Sequence, residues 1–162
     1  MPRHPDRIVD VEAIVRGFGI SYVRYSEIAE SSGEEQLVIV DQMGLLRDCY
    51  QVATVAIVAG SYTPTVGGHN ILEPLWYGVP VIYGPHMHSQ PEFVELMEEF
   101  KAGKQEGLET LKEQVMLFLE SDSSRAQIAD AGKALLASAK GATERTSREI
   151  SGCILLQDKQ DN

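Results

Sequence analysis

The residues best suited to chemistry lie in one stretch, 58–85, VAGSYTPTVGGHNILEPLWYGVPVIYGP. Gly67 and Gly68 precede His69 and Asn70, and Glu73 stands three residues after Asn70. Glycines let a backbone approach a ligand closely or take a positive φ. Asn70 is a favoured N-cap. The free N–H groups and positive dipole end of a helix opening behind it suit a phosphate. Glu73 would share Asn70's side of that helix, where a carboxylate can accept two hydrogen bonds from a vicinal diol such as a ribose. Phosphate donors beside a diol acceptor describe a nucleotide site. The same spacing also makes a capping-box-like pair, and Glu73-Pro74 suits a helix start with no ligand, so these residues alone leave both readings open.

Three other groups carry weaker signals. Gly44 opens a helical pattern after LVIVD and, with Leu45, offers free amides or simply makes a tight turn. Arg3, in Arg3-His4-Pro5, can hold a phosphate bidentately or stand as a surface arginine near a terminus. The pair His86 and His88 has metal-like spacing, but no carboxylate or cysteine accompanies it at ligand distance in sequence, and a solvated loop is expected there, with no metal.

These groups must be positioned by the elements around them. Residues 6–18 place Ile8, Val11, Ile14 and Val15 on one helical face. Residues 20–25 alternate like a strand, 26–35 read as a loop, and 37–41 as a continuous apolar strand. A short helix over 44–53, a buried strand over 55–60, a helix over 71–78 opening at Asn70, and a strand over 79–85 follow. A helix starting at Pro91 covers 91–100. Two more occupy 107–121 and 122–140, with a polar helical continuation over 141–152 and a frayed tail. Fully apolar strands alternating with helices predict an α/β fold, a Rossmann-like doubly wound parallel sheet with helices on both faces. Ligands of such sheets sit beyond the carboxyl ends of the strands. That rim is where His69, His86 and His88 fall, and where His4 and Arg3 would fall if a strand preceded residue 1.

The totals set outer limits. A chain of 162 residues, 43% apolar and 23% charged, is sized and composed for one domain with a good core. Its net charge of −10 argues against non-specific nucleic-acid binding, so an anionic ligand would need a local cluster of donors. No apolar run approaches the ~20 residues that span a bilayer, and no signal-peptide pattern follows Met1. Cys49 and Cys153 lack metal or redox spacing and read as buried free thiols of a reducing compartment. No G-x-G-x-x-G follows a strand pattern, which disfavours a dinucleotide-binding domain.

Taken together, PRHP at the start, Met43-Gly44, and AGSYTPTVGGHNILEPLWYGVPVIYGPH at 59–86 resemble the C-terminal half of 3-deoxy-D-manno-octulosonic acid (Kdo) transferases, glycosyltransferases of the GT-B architecture. The order and spacing of GGHN, Glu73, Gly78-Val79-Pro80-Val81 and Gly84-Pro85-His86 are the specific part. The resemblance runs from Pro2 to about Gly84, and more loosely to the end. It implies a domain binding CMP-Kdo, the donor from which Kdo moves to the lipid A precursor of lipopolysaccharide, in a reaction without metal or cofactor. It implies that Pro2 and Arg3 meet the CMP, with Arg3 on the phosphate. Met43, Gly44 and Leu45 form a second contact segment. Asn70, Ile71, Leu72 and Glu73 form a third, with Glu73 on the ribose hydroxyls and Gly68 and His69 as further contacts. The family has a short strand after the helix at 91–100; here KAGKQEG predicts that it is lost or very short.

The family's acceptor-activating carboxylate, acceptor site and membrane anchor belong to its other half. The expectation is therefore a donor-binding fragment, 1–162, without catalytic residues of its own: folded, soluble, inactive as a transferase and a weak binder of CMP. Its loosest part would be 141–155. The full-length enzyme would work at the cytoplasmic face of the bacterial inner membrane. Two alternatives remain at this stage: half of a UDP-sugar GT-B transferase or epimerase, and a non-catalytic nucleotide-binding module.

Overall fold

The computed structural model describes residues 7–139. Pro2, Arg3, His4, Cys153 and the helical continuation expected beyond residue 140 lie outside the described residues. The chain divides into two compact units, Met1–Val52 and Ala53–Asn162.

In the first unit, α1 (Ile8–Gly17) precedes β1 (Tyr22–Arg24), a 3-10 helix (Tyr25–Glu30), β2 (Leu37–Ile39) and α2 (Leu46–Val52). β1 and β2 pair in parallel, Val23 opposite Val38. The buried face of α1 is Ile8, Glu12 and Val15, while Ile14 is 60% exposed. The expected apolar stripe is thus rotated to admit a carboxylate. The reason is Arg24, whose Nε and Nη2 donate to Glu12 Oε1 and Oε2 at 2.6 and 2.7 Å. A bidentate pair of this kind satisfies a carboxylate that could not otherwise be buried. The loop expected over 26–35 begins instead with the 3-10 helix. Cys49, on α2, is a free thiol but only half-buried.

The second unit carries β3 (Ala56–Val58), β4 (Val81–Tyr83), α3 (Pro91–Phe100), β5 (Lys104–Gln105), α4 (Leu108–Glu120) and α5 (Asp122–Ser138). Its three strands are parallel in the order β3-β4-β5, with Ile57 opposite Ile82 and Tyr83 opposite Gln105. Every residue of the central β4 is buried. Its side chains alternate between faces. Val81 and Tyr83 join Ile71, Leu75, Met97 and Leu135 in one cluster, and Ile82 joins Phe118 and Ile128 in another. The hydrophobic sequence of β4 thus feeds two cores, with α3 and the end of α5 on one side and α4 with the start of α5 on the other.

The class is α/β with parallel strands, as expected, but the hydrogen-bonded ladders form two short sheets rather than one. Among the described residues only β4 behaves as a strand covered on both faces: Val38 of β2 and Ile57 of β3 stay 42% and 44% exposed. The short strand expected to be lost or very short survives as two residues, Lys104 and Gln105.

The two units are expected to respond to opposite extremes of pH. In the first, the Arg24 guanidinium holds Glu12 low, the Ser26 hydroxyl holds Asp41 low, and the Ser31 hydroxyl with nearby backbone N–H groups brings Glu35 down to about 2. A depressed carboxyl adds stability above its unfolded value and loses it as pH falls through its folded value. The first unit therefore weakens from about pH 4.5 downward. In the second unit, burial, reinforced by Glu98, pushes Tyr83 to about 12, and burial with Glu106 raises Tyr62. A raised tyrosine contributes below its unfolded value of 10.0 and loses that contribution towards pH 12. Methyl NMR of Val15 and Ile39 against Ile82 and Leu135 checks this. Simultaneous loss of both sets in acid would contradict it.

Candidate functional site

The rim of the second unit is built where β3 and β4 end. After β3 the chain makes a 3-10 helix (Ala59–Tyr62), a glycine loop, and a second 3-10 helix (Glu73–Tyr77) before β4. Ser61 is fully buried and acts as the hub. Its Oγ donates to Val58 O at 2.5 Å and accepts from Gly84 N–H at 2.6 Å, while its carbonyl accepts from His86 N–H at 2.9 Å. The loop after β3 is thereby tied to the loop after β4.

The glycine pair has a clear physical cause. Gly67 has φ +74°, and a Cβ there would stand 2.6 Å from His88 Cε1. A Cβ on Gly68 would collide with Met87 Sδ and lie 2.9 Å from Ser61 Cβ. Gly68 N–H donates to His86 O at 2.7 Å and its carbonyl accepts from Ser89 Oγ at 2.9 Å. Gly68 is buried and its backbone groups are taken up by the neighbouring loop. The lack of a side chain at Gly68 thus lets one loop approach the other.

His69 and Asn70, just beyond, are exposed. Asn70 is not the N-cap of a helix. Its Oδ1 accepts from Leu72 N–H at 3.1 Å in a local side-chain turn, and the 3-10 helix starts at Glu73 after Leu72 without a side-chain cap. The expected helix over 71–78 shrinks to five residues because Pro74 has no N–H for the carbonyl four residues back, and because Gly78 at φ +69° ends it. The phosphate reading based on a helix dipole loses its long helix, so the site rests on local groups. Ile71 is fully buried among Leu75 and Val81, which leaves only its backbone for a ligand. Leu72 and Glu73 are half-buried.

In the first unit, Met43, Gly44 and Leu45 form the turn between β2 and α2. Met43 is 70% exposed, and Gly44 has φ +88° with open space around it. The helix begins at Leu46, not at Gly44, so a turn conformation only glycine adopts cheaply accounts for Gly44. The two segments, 43–45 and 68–73, belong to different units, and each is placed only within its own.

Sequence reasoning missed Ser61, Met87 and Ser89. A buried serine in an irregular stretch, and a methionine between two histidines, give no periodic signal. A hollow of about 420 Å³ lies at the carboxyl ends of β4 and β5, walled by Pro85, His86, His88, Val94, Glu95 and Gln105. Among the described residues no group of three His, Cys, Asp or Glu is placed to hold a metal ion. Among them, too, no helix is long and apolar enough to cross a membrane.

Comparison with known proteins places this arrangement. No protein-family model matches the chain. It is 37% identical over 146 residues to the 3-deoxy-D-manno-octulosonic acid transferase of Chlamydia muridarum, covering 90% of this chain and 34% of that protein. It is 34% identical over 155 residues to the transferase of the same name from Aquifex aeolicus, covering 96% of this chain and 38% of that one. The chain thus spans about a third of the length of these relatives. The crystal structure of the C-terminal CMP-Kdo binding domain of WaaA from Acinetobacter baumannii superposes with a TM-score of 0.78 at 27% identity, over 84% of this chain and 71% of that one.

Proposed function

We propose that this chain, a homologue of the Kdo transferases over nearly all of its own length, is the donor-binding domain of such an enzyme and takes CMP-Kdo. The observation that carries this is a double match. Sequence relatedness to the transferases covers 90% or more of the chain, and the fold agrees with a domain described as CMP-Kdo binding. In this reading Pro2 and Arg3 meet the CMP, with Arg3 on the phosphate, Met43 to Leu45 and Asn70 to Leu72 contact the nucleotide, and Glu73 accepts from the ribose hydroxyls, with Gly68 and His69 as further contacts.

Transfer also needs a base and an acceptor held against the donor sugar, and neither is assigned to these residues. We assign both to a further domain of the whole enzyme, with the lipid A precursor as acceptor, lipopolysaccharide as the product line and the cytoplasmic face of the inner membrane as the place of work. No metal enters the scheme.

A CMP titration of the chain followed by amide shifts tests the reading, with UDP as comparator. CMP is expected to move resonances of 43–45 and 68–73 in a saturable way. Stronger shifts with UDP would turn the assignment towards a UDP-sugar enzyme. No response to either nucleotide would remove it.

A further inference from the structure

We propose that the segment 86–89, through Ser89 and His88, is the positioning element that holds the loop 67–73 in its ligand-binding shape. What that loop binds rests on the nucleotide reading above; the positioning itself rests on contacts. Four of them converge on two residues. Ser89 Oγ donates to Gly68 O at 2.9 Å, and Gly68 N–H donates to His86 O at 2.7 Å. The His88 ring lies so close over Gly67 that a Cβ there would meet Cε1 at 2.6 Å and Nε2 at 2.9 Å. Met87, buried, fills the space against Gly68. The segment 86–89 is itself anchored, by His86 N–H on Ser61 O at 2.9 Å and by Gln90 N–H on Met87 O at 3.0 Å just ahead of α3.

The clamp grips the two residues that immediately precede exposed His69 and Asn70, while Ile71 is pinned in the core on the other side. Only two residues, His69 and Asn70, lie between the Gly68 clamp point and Ile71. The exposed segment therefore has little freedom while the clamp holds, and more when it is released. Rigid presentation of a binding loop lowers the ordering cost of the ligand. Ser89 is exposed and belongs to neither core cluster, so its hydroxyl can be removed without emptying a packed site.

The test is Ser89→Ala, with Ser89→Thr as the conservative rescue, in the 162-residue chain. Three quantities are read: thermal midpoint, amide hydrogen exchange at 68–72, and CMP dissociation constant from shift titration. Expected for Ser89→Ala are an unchanged midpoint, faster exchange confined to 68–72, and a CMP dissociation constant raised roughly three- to tenfold, the scale of one lost hydrogen bond. Ser89→Thr should restore both. Unchanged exchange and affinity in Ser89→Ala overturn the proposal, as does a weakening that merely follows a global drop in midpoint. If the unmodified chain ignores CMP yet Ser89→Ala still loosens 68–72 alone, the clamp stands and the nucleotide reading falls.

Discussion

Gly84→Ala is expected to lower the thermal midpoint of the second unit by roughly 6–12 °C, the equivalent of about 3 kcal/mol. Gly84 follows β4, and a Cβ there would stand 2.6 Å from Ser61 O and 2.9 Å from Tyr62 Cδ1. The first of these is backbone and cannot rotate away. Nor can Ser61 retreat, because its Oγ is held by Gly84 N–H at 2.6 Å and its carbonyl by His86 N–H at 2.9 Å. The methyl group must therefore break buried hydrogen bonds or bend the end of β4, which is packed on both faces. Gly17→Ala serves as the control, since nothing lies within 4 Å of a Cβ there. A shift of less than 2 °C for Gly84→Ala would mean that the two loops are not joined as described. Because those loops carry 67–73, the variant should also blunt any response to CMP.

Glu73→Gln in the full-length enzyme is expected to reduce kcat/KM for CMP-Kdo by about 10- to 150-fold while the unfolding midpoint moves by no more than a few degrees. A hydrogen bond to a charged group is worth roughly 1.5–3 kcal/mol, and each 1.4 kcal/mol is about tenfold. Glutamine keeps the shape and one acceptor oxygen but removes the charge that strengthens bonds from a ribose diol. The fold should tolerate the change. Glu73 is only half-buried, and the 3-10 helix it opens uses no side-chain cap. An unchanged KM with normal kcat would remove Glu73 from the donor site. A loss of activity that tracks a large drop in midpoint would assign it to folding instead.

Much of the second unit was legible in the sequence. α3 runs from Pro91 to Phe100, the span expected from its proline start and its apolar spacing. α4 and α5 fall close to the two helical patterns after 107. β4 is an unbroken apolar run and is buried on both faces, so composition and environment agree. Patterns failed where a single long-range partner overrode local preference. Arg24 drew Glu12 inward in place of Ile14, and no periodicity within α1 announces a residue twelve positions away. Pro74 was visible, but its effect was underestimated: with its missing N–H it cut a helix expected over 71–78 to a short 3-10 turn.

What the sequence by itself determined is the chemistry of the candidate site and its placement at the ends of strands. Gly67, Gly68, His69, Asn70 and Glu73 occur in an order that local rules and a family resemblance can both read, because turn formation and side-chain chemistry are properties of neighbours along the chain. What only the tertiary structure decided is which of them face outward. Gly68 and Ile71 are buried and His69 and Asn70 exposed, and Gly68 serves to let two loops touch. That division depends on Ser61, Met87 and Ser89 meeting residues 7 to 25 positions away. Close packing and hydrogen-bond satisfaction between distant segments choose the outward faces, and those are conditions on the folded molecule that no local spacing contains.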